Sequence, residues 1–528
     1  MVKGYSFSSL TALSRRRFLQ SAAGAGALAV GSAAGLLPSL AETATPKKGG
    51  HFKIGVGSGS ASDSLNPATY TDSFMMIFGH ALHGYLVEMD RDGNLVGELA
   101  ESWESSKDAK TWTFKLREGV EFHNGKKLDA DDVVASLNHH RGEQSGSGAK
   151  DIVKGIEEIH ADGPRTVVLS LKGANADFPY LMEHYQLPIM PAKDGKADIS
   201  GVGCGGYVLD KIDFGVKATA KRFANYWKPN AAWFDSFEVL AIHDVGARTN
   251  ALTTGQIQAM DRCDLKTINL LKRNKSLEIT SISGTQQYVM PMRCDVSPFD
   301  NVDVRLAVKY ALNRKQLLDT LLNGYGQLGN DHPIASTNRF FAKGLPQREQ
   351  DLDKARFHLK KAGVTNLKVQ LSASDAAFTG AVDAAALYQQ DAAKVGINVD
   401  IVREPADGYW DSVWLKKPWY TSFTGGRPTA DWMFSVFYAA DASWNEGHWK
   451  NPRFNELLIA ARGELDDSKR LEMYTEMQSL CREDSGSVIP VFANYVNALS
   501  TNVGHNKIGS NWDLDSFRCA ERWWLTNV

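Results

Sequence analysis

Cysteine is scarce and scattered. Cys204, Cys263, Cys294, Cys481 and Cys519 are the only five in 528 residues, and no two stand in CxxC spacing. That pattern excludes a thiolate metal site or a disulfide scaffold, and a chain this large needs no bridge, so at most one is expected. An excess of one charge is also missing: 59 Lys and Arg stand against 61 Asp and Glu, a formal charge of −2. With no dense basic run, nucleic acid is not an expected partner. Strongly apolar runs are absent as well. The longest candidate, residues 21–37, is mostly Ala and Gly with no Ile or Phe, too weakly hydrophobic for a membrane span. There is no GxSxG, no HExxH and no phosphate loop. The expectation is a protein that is not an enzyme and carries no cofactor. His80 and His83, three apart, would share a helix face but have no third ligand nearby, so they read as helix surface and not as a metal site.

What is present begins at the N-terminus. Ser14-Arg15-Arg16-Arg17-Phe18-Leu19-Gln20 precedes the weak apolar run, and Pro38-Ser39-Leu40-Ala41 closes it with small residues. This reads as a twin-arginine export signal over residues 1–41, cleaved after Ala41. The signal holds Lys3, Arg15, Arg16 and Arg17 and no acid, so its removal takes the formal charge from −2 to −6. No cysteine precedes Cys204, hence no lipoprotein site. The mature chain is expected in the periplasm, with the twin-arginine export machinery as its first partner.

A chain of this length exceeds one hydrophobic core and should divide into at least two domains. Alternation predicts a strand over residues 111–116, with Trp112, Phe114 and Leu116 on one face, and further strands at 51–56, 167–171, 206–209 and 237–240. Asp129, ahead of Ala130-Asp131-Asp132-Val133, predicts a helix start. Past residue 300 the pattern turns to strand–helix–strand. A strand at 367–372, a helix at 381–395 closed by Gly396 and a strand at 397–402 predict a parallel, right-handed crossover. Trp410, Trp414, Trp419, Trp432, Trp444 and Trp449 fall within one stretch of forty residues, a density that suits a wall of amphipathic rings as well as core.

The order of segments carries a resemblance. Leu99-Ala100-Glu101-Ser102-Trp103-Glu104 is followed by Gly119-Val120-Glu121-Phe122-His123-Asn124-Gly125-Lys126-Lys127-Leu128-Asp129-Ala130-Asp131-Asp132-Val133. Later come Pro298-Phe299-Asp300-Asn301-Val302-Asp303-Val304-Arg305, Lys394-Val395-Gly396-Ile397-Asn398-Val399 and Asn451-Pro452-Arg453-Phe454-Asn455-Glu456-Leu457. This series, over residues 49–505, resembles the bacterial extracellular solute-binding proteins, family 5, receptors of dipeptide-, oligopeptide- and nickel-type ABC importers. The resemblance implies an α/β, two-lobed periplasmic-binding-protein fold of the large, three-subdomain type, with a ligand cleft between the lobes. Lobe I is expected at 42–285 with a subdomain at about 88–200, lobe II at 286–499, and a return to lobe I at 500–528. It also implies a monomer that delivers a small-molecule or peptide ligand to an ABC permease in the inner membrane. A cationic amine or metal chelate as ligand, or an exported hydrolase built on the same cleft, are the alternatives.

In peptide-binding relatives an Asp ahead of a lobe II helix holds the ligand's amine. The matching stretch, Phe423-Thr424-Gly425-Gly426-Arg427-Pro428-Thr429-Ala430-Asp431-Trp432, puts Gly426 at that place. Arg427 is then a candidate for a ligand carboxylate, bidentate and rigid. Asp431 is either a cation receptor or a helix cap. Trp432, Trp444 and Trp449 either stack on the ligand or pack in the core, and Asn445 adds a polar group beside them. Tyr70 and Asp72 follow the Asn66-Pro67 turn and either face the cleft or are solvated. Gln287 and Tyr288 lie at the expected crossing between lobes, where polar density favours a cleft role.

Overall fold

Two long strands, Leu277–Pro291 and Ser487–Ser500, pair antiparallel over nearly their full length, from Leu277 opposite Ser500 to Pro291 opposite Ser487. The register shifts between Ile282 and Gln286. Gly284 is required there, because a Cβ would run into the Ala493 carbonyl oxygen. The computed structural model describes residues 46–528, so the export signal expected at 1–41 lies outside the described residues.

On the lobe I side the long strands continue a mixed sheet. His51–Val56 pairs parallel with Ser236–Ala241 and with Ala259–Met260, and the outer strands Lys217–Arg222 and Tyr207–Asp213 follow antiparallel. Beneath it the helix Ser73–Leu82 is buried along its whole length, which its run of Phe, Met, Ile and Leu demands. The C-terminal residues Leu514, Phe517, Trp523 and Leu525 pack into this same core beside Phe52, Phe74 and Phe237. A separate core belongs to the antiparallel sheet of Ala100–Ser105, Thr111–Leu116, Thr166–Leu171 and Ile156–Ala161. The alternation read at 111–116 is realised: Trp112, Phe114 and Leu116 are buried, and Lys115 is exposed. The helix Ala130–Asn138 starts in a capping box, with Asp129 and Asp132 each accepting from the other's backbone N–H.

In lobe II the strands Leu367–Ala373 and Ile397–Arg403 pair parallel, joined by the helix Ala381–Ala393, as the spacing predicts. Their core holds Leu371, Tyr388 and Trp419, while a second core holds Phe434, Trp449, Phe454 and Tyr474. The lobes also meet away from the long strands. Asp177 of the lobe I subdomain lies 2.6 Å from Arg470 and 2.8 Å from Arg339 of lobe II, and the Ala176 N–H donates to the Arg462 carbonyl at 2.7 Å. Asn323 Nδ2 donates to the Leu265 carbonyl at 2.7 Å. The five cysteines are unpaired. Among the described residues no helix is long and apolar enough to cross a membrane.

Glu88, Glu98 and Glu521 converge closely enough to resemble a metal site. Arg518 and Lys228 fill the space between them, Arg518 at 2.8–3.1 Å from all three and Lys228 at 2.7–3.3 Å. Burial opposes the Glu521 carboxylate, yet Lys228, Arg518 and Arg522 hold it well below the usual carboxylate range. The cluster is a charge-balanced bolt between the subdomain and the C-terminal segment. Arg518→Met leaves three acids facing fewer cations, and is expected to cost about 3–5 kcal/mol, read as a lower urea midpoint.

Candidate functional site

A cavity of 1020 Å³ lies between the lobes. Lobe I contributes residues 71–73 and 262–266 with Tyr185, Trp512, Asp513 and Phe517. Lobe II contributes 320–323, part of 379–390 and Phe423, Gly425 and Gly426, and the long strands form the floor through Gln286, Tyr288 and 493–496. Its size is that of a pocket for a small organic ligand. Four carboxylates line it, Asp72, Asp264, Asp383 and Asp513, against two cations, Arg262 and Lys266.

Strand geometry sorts the residues expected at the crossing. Gln286 and Tyr288 face the cavity, and the ring of Tyr288 stacks on Phe378 at 4.0 Å and 7°. Gln287, between them, points to the other face with its Nε2 3.9 Å from Met433 Sδ, and its buried Oε1 has no partner among the described residues. Its expected cleft role is therefore corrected by the period of two. Tyr288 pairs in register with Phe423, which adds a second ring to the lobe II wall.

Asp72 reaches the cavity rim, with one carboxylate oxygen capping the helix Ser73–Leu82 through the Met75 N–H at 3.2 Å. Tyr70 does not reach it. Its ring is buried against Gly79 and its hydroxyl donates to the Leu65 carbonyl, because no larger residue than glycine leaves room for a ring on that helix face. Asp431 neither caps nor faces the cavity: Thr429 is the cap, and Asp431 pairs with Arg462 at 3.0 Å. Asn445 and Trp449 hold a turn together. Asn445 Nδ2 donates to the Ala439 and Trp449 carbonyls, and Trp449 Nε1 donates to Asp484 at 2.8 Å from inside the second lobe II core. Trp444 is 43% exposed, off the cavity, against Trp414 and Phe437. The tryptophan density of this segment thus mostly serves packing.

Arg427 and Trp432 stand at the boundary of the lobes. The Arg427 guanidinium lies 5.6 Å from the Trp432 ring and 5.3 Å from Phe437, and Trp432 packs on His184 of lobe I at 5.3 Å. Nη1 donates to the Gly425 and Gly426 carbonyls. Among the described residues no carboxylate pairs with Arg427, and burial pushes its guanidinium below the ordinary arginine range. It lines a 50 Å³ recess with Tyr180, Thr285 and Arg339. At Gly426 a Cβ would fall on the Thr285 side chain, so Thr285 occupies the space into which a residue-426 side chain would project.

Sequence reasoning missed the C-terminal contribution. Leu514, Asp515, Ser516 and Phe517 are consecutive left-handed residues, with φ of 49°, 59°, 60° and 62° and no glycine among them. That conformation costs about 1–2 kcal/mol per residue. It is held by Asp515, whose Oδ1 accepts from the Gly509 N–H and from Arg522 and whose Oδ2 accepts from Trp523 Nε1. The turn aims Trp512, Asp513 and Phe517 at the cavity. The polar run Ser510-Asn511-Trp512-Asp513 was the only sequence signal for it.

Two α/β lobes meeting across a solute-sized cavity, joined by paired crossing strands, define the two-lobed class of periplasmic binding proteins. The family model of bacterial extracellular solute-binding proteins, family 5 Middle, matches residues 94–447, and the chain belongs to that family. It is 27% identical over 495 residues to the glutathione-binding protein GsiB of Escherichia coli (strain K12), covering 90% of this chain and 95% of the relative. Among solved structures it resembles the substrate-binding protein CtaP of Listeria monocytogenes, at 21% identity and a TM-score of 0.78, covering 91% of this chain and 100% of that one. It also resembles DppA of Helicobacter pylori in complex with the peptide STSA, at 23% identity and a TM-score of 0.74, covering 91% and 99%.

Two outcomes are expected here. Gly426→Ala collides with Thr285 and should lose about 1–3 kcal/mol by overpacking, most of it recovered when Thr285→Gly is added, as compared by denaturant unfolding. Burial pushes the Glu446 carboxyl up to about 7 against hydrogen bonds from Ser422 and Trp414, both of which end on Oε1. The native chain therefore keeps a proton that the unfolded chain has released. Relative to Glu446→Gln, stability is full below about pH 4.5 and falls by roughly 3 kcal/mol as pH rises through 7, measured as urea midpoints across that window.

Proposed function

We propose that this protein is the periplasmic substrate-binding component of an ABC importer, and that it captures a short peptide or amino-acid-like solute by hinge closure and releases it intact. The observation that carries this reading is the 1020 Å³ cavity, whose walls come from both lobes and whose floor is the pair of crossing strands. A site divided in this way is complete only when the lobes are shut, so solute and closure stabilise each other. The glutathione named for the curated relative and the peptide held by the Helicobacter pylori neighbour belong to the same chemical class.

Arg427 takes the ligand carboxylate. It is a largely buried cation within 6 Å of two rings, with only backbone carbonyls as acceptors among the described residues and the recess beside it to receive an anionic group. Affinity near micromolar would correspond to about −8 kcal/mol. Export follows from the twin-arginine leader at 1–41, and the mature chain works as a monomer that presents its cargo to a permease in the inner membrane.

Native mass spectrometry of the mature protein tests this directly. The expected result is one small solute per chain, recovered chemically unchanged. Arg427→Ala should lower the retained solute's affinity about ten- to hundred-fold, the worth of a charge-assisted pair, while Arg427→Lys keeps part of it. A cleaved product would overturn the receptor reading in favour of turnover.

A further inference from the structure

The lobe I wall of the cavity has its own chemistry. Asp513 is only 8% exposed and lines the cavity. Its Oδ1 accepts from Asn497 Nδ2 at 2.7 Å and from the Leu514 N–H at 2.8 Å. No donor among the described residues reaches its Oδ2. Arg262, the cation that acts on Asp513, is paired instead with Asp261 at 3.6 Å. A carboxylate this buried needs a cation or further donors to remain charged.

Three rings line the cavity with it. Trp512 and Phe517 lie nearly parallel at 6.0 Å and 12°, and Tyr185 stands edge-on to both, at 5.6 Å and 80° from Trp512 and at 6.4 Å and 86° from Phe517. The strained left-handed turn at 514–517 keeps the carboxylate and two of the rings on this wall, and strain of that kind persists where surrounding structure over-determines it. Aromatic faces beside one carboxylate attract organic cations, since ring quadrupole and formal charge act in the same sense. The opposite wall lacks such a feature at Gly426, where Thr285 occupies the space a side chain would take.

We infer that Asp513, Trp512, Phe517 and Tyr185 form an ammonium-binding subsite, which takes the amine or alkylated amine of the solute on lobe I. This rests on the receptor reading above and extends it: the ligand carries a cationic end as well as an anionic one. The cavity's surplus of carboxylates over cations draws such a group inward.

The probes are methylammonium and tetramethylammonium chloride, titrated against the mature protein with sodium chloride at equal ionic strength as control. Saturation-transfer NMR on the probe methyl protons should show saturable binding that sodium chloride does not reproduce. Asp513→Asn, which keeps Oδ1 as the acceptor for Asn497 and Leu514, should weaken it about tenfold. Trp512→Leu should weaken it as well, and unchanged thermal midpoints show that both variants fold. Binding equal to the sodium control, or unaltered in Asp513→Asn, overturns the subsite. If the protein still carries a solute lost in Arg427→Ala yet ignores both ammonium salts, the receptor reading stands and the subsite falls. If it carries no solute but binds the salts through Asp513, the receptor reading falls and the subsite stands.

Discussion

The antiparallel pairing of Leu277–Pro291 with Ser487–Ser500 is the constraint on which the rest depends. Each strand enters the lobe I sheet at one end and the lobe II packing at the other, so the lobes share one hydrogen-bonded spine. The register shift between Ile282 and Gln286, with Gly284 against the Ala493 carbonyl, breaks that spine at the level of the cavity floor. Beyond the break, strand alternation aims Gln286 and Tyr288 upward and turns Gln287 away. The floor chemistry follows from the alternation beyond this irregularity, and the wall with Phe423 from a second pairing on the other edge of the same strand.

Buried charge is distributed by a simple logic. Where acids and cations are matched, they build. Arg518 and Lys228 join Glu88, Glu98 and Glu521 across the lobe I subdomain, Asp177 joins Arg339 and Arg470 across the lobes, and Arg314 and Arg348 meet Asp331 inside lobe II at 2.6 and 2.9 Å. A buried pair adds little net stability but is costly to break, so such clusters act as position markers. Among the described residues no carboxylate pairs with Arg427 and no donor reaches Asp513 Oδ2, and Asp513 lines the cavity while Arg427 lines the smaller recess. Buried Glu446 and Lys309 also lack an ion-pair partner among the described residues but sit inside lobe II, so it is the position of Arg427 and Asp513 between the lobes that marks the cleft.

Several elements were legible because their causes are local. The alternation at Thr111–Leu116, the Asp129 cap and the parallel pair around Ala381–Ala393 each depend on residues close in sequence. The site residues were read less well. Tyr70, Asn445 and Trp449 have the right chemistry for a ligand wall, yet they are consumed by a glycine-lined helix face, a turn and a core. Asp431 met Arg462, thirty-one residues on, before any ligand. Trp512, Asp513 and Phe517 carry no signal beyond polarity, because a left-handed turn without glycine cannot be inferred from the side chains that adopt it.

By itself the amino-acid order determined the α/β class and the segment series of family 5. Those properties reside in periodicity, capping and motif order, which act over a few neighbours. Tertiary structure alone decided which side chains share the cavity, that Thr285 occupies the space beside Gly426, and that Asp513 keeps one oxygen unclaimed. Most of those facts join segments far apart in the chain, and only packing, with its competition among partners for each polar atom, settles which of them meet.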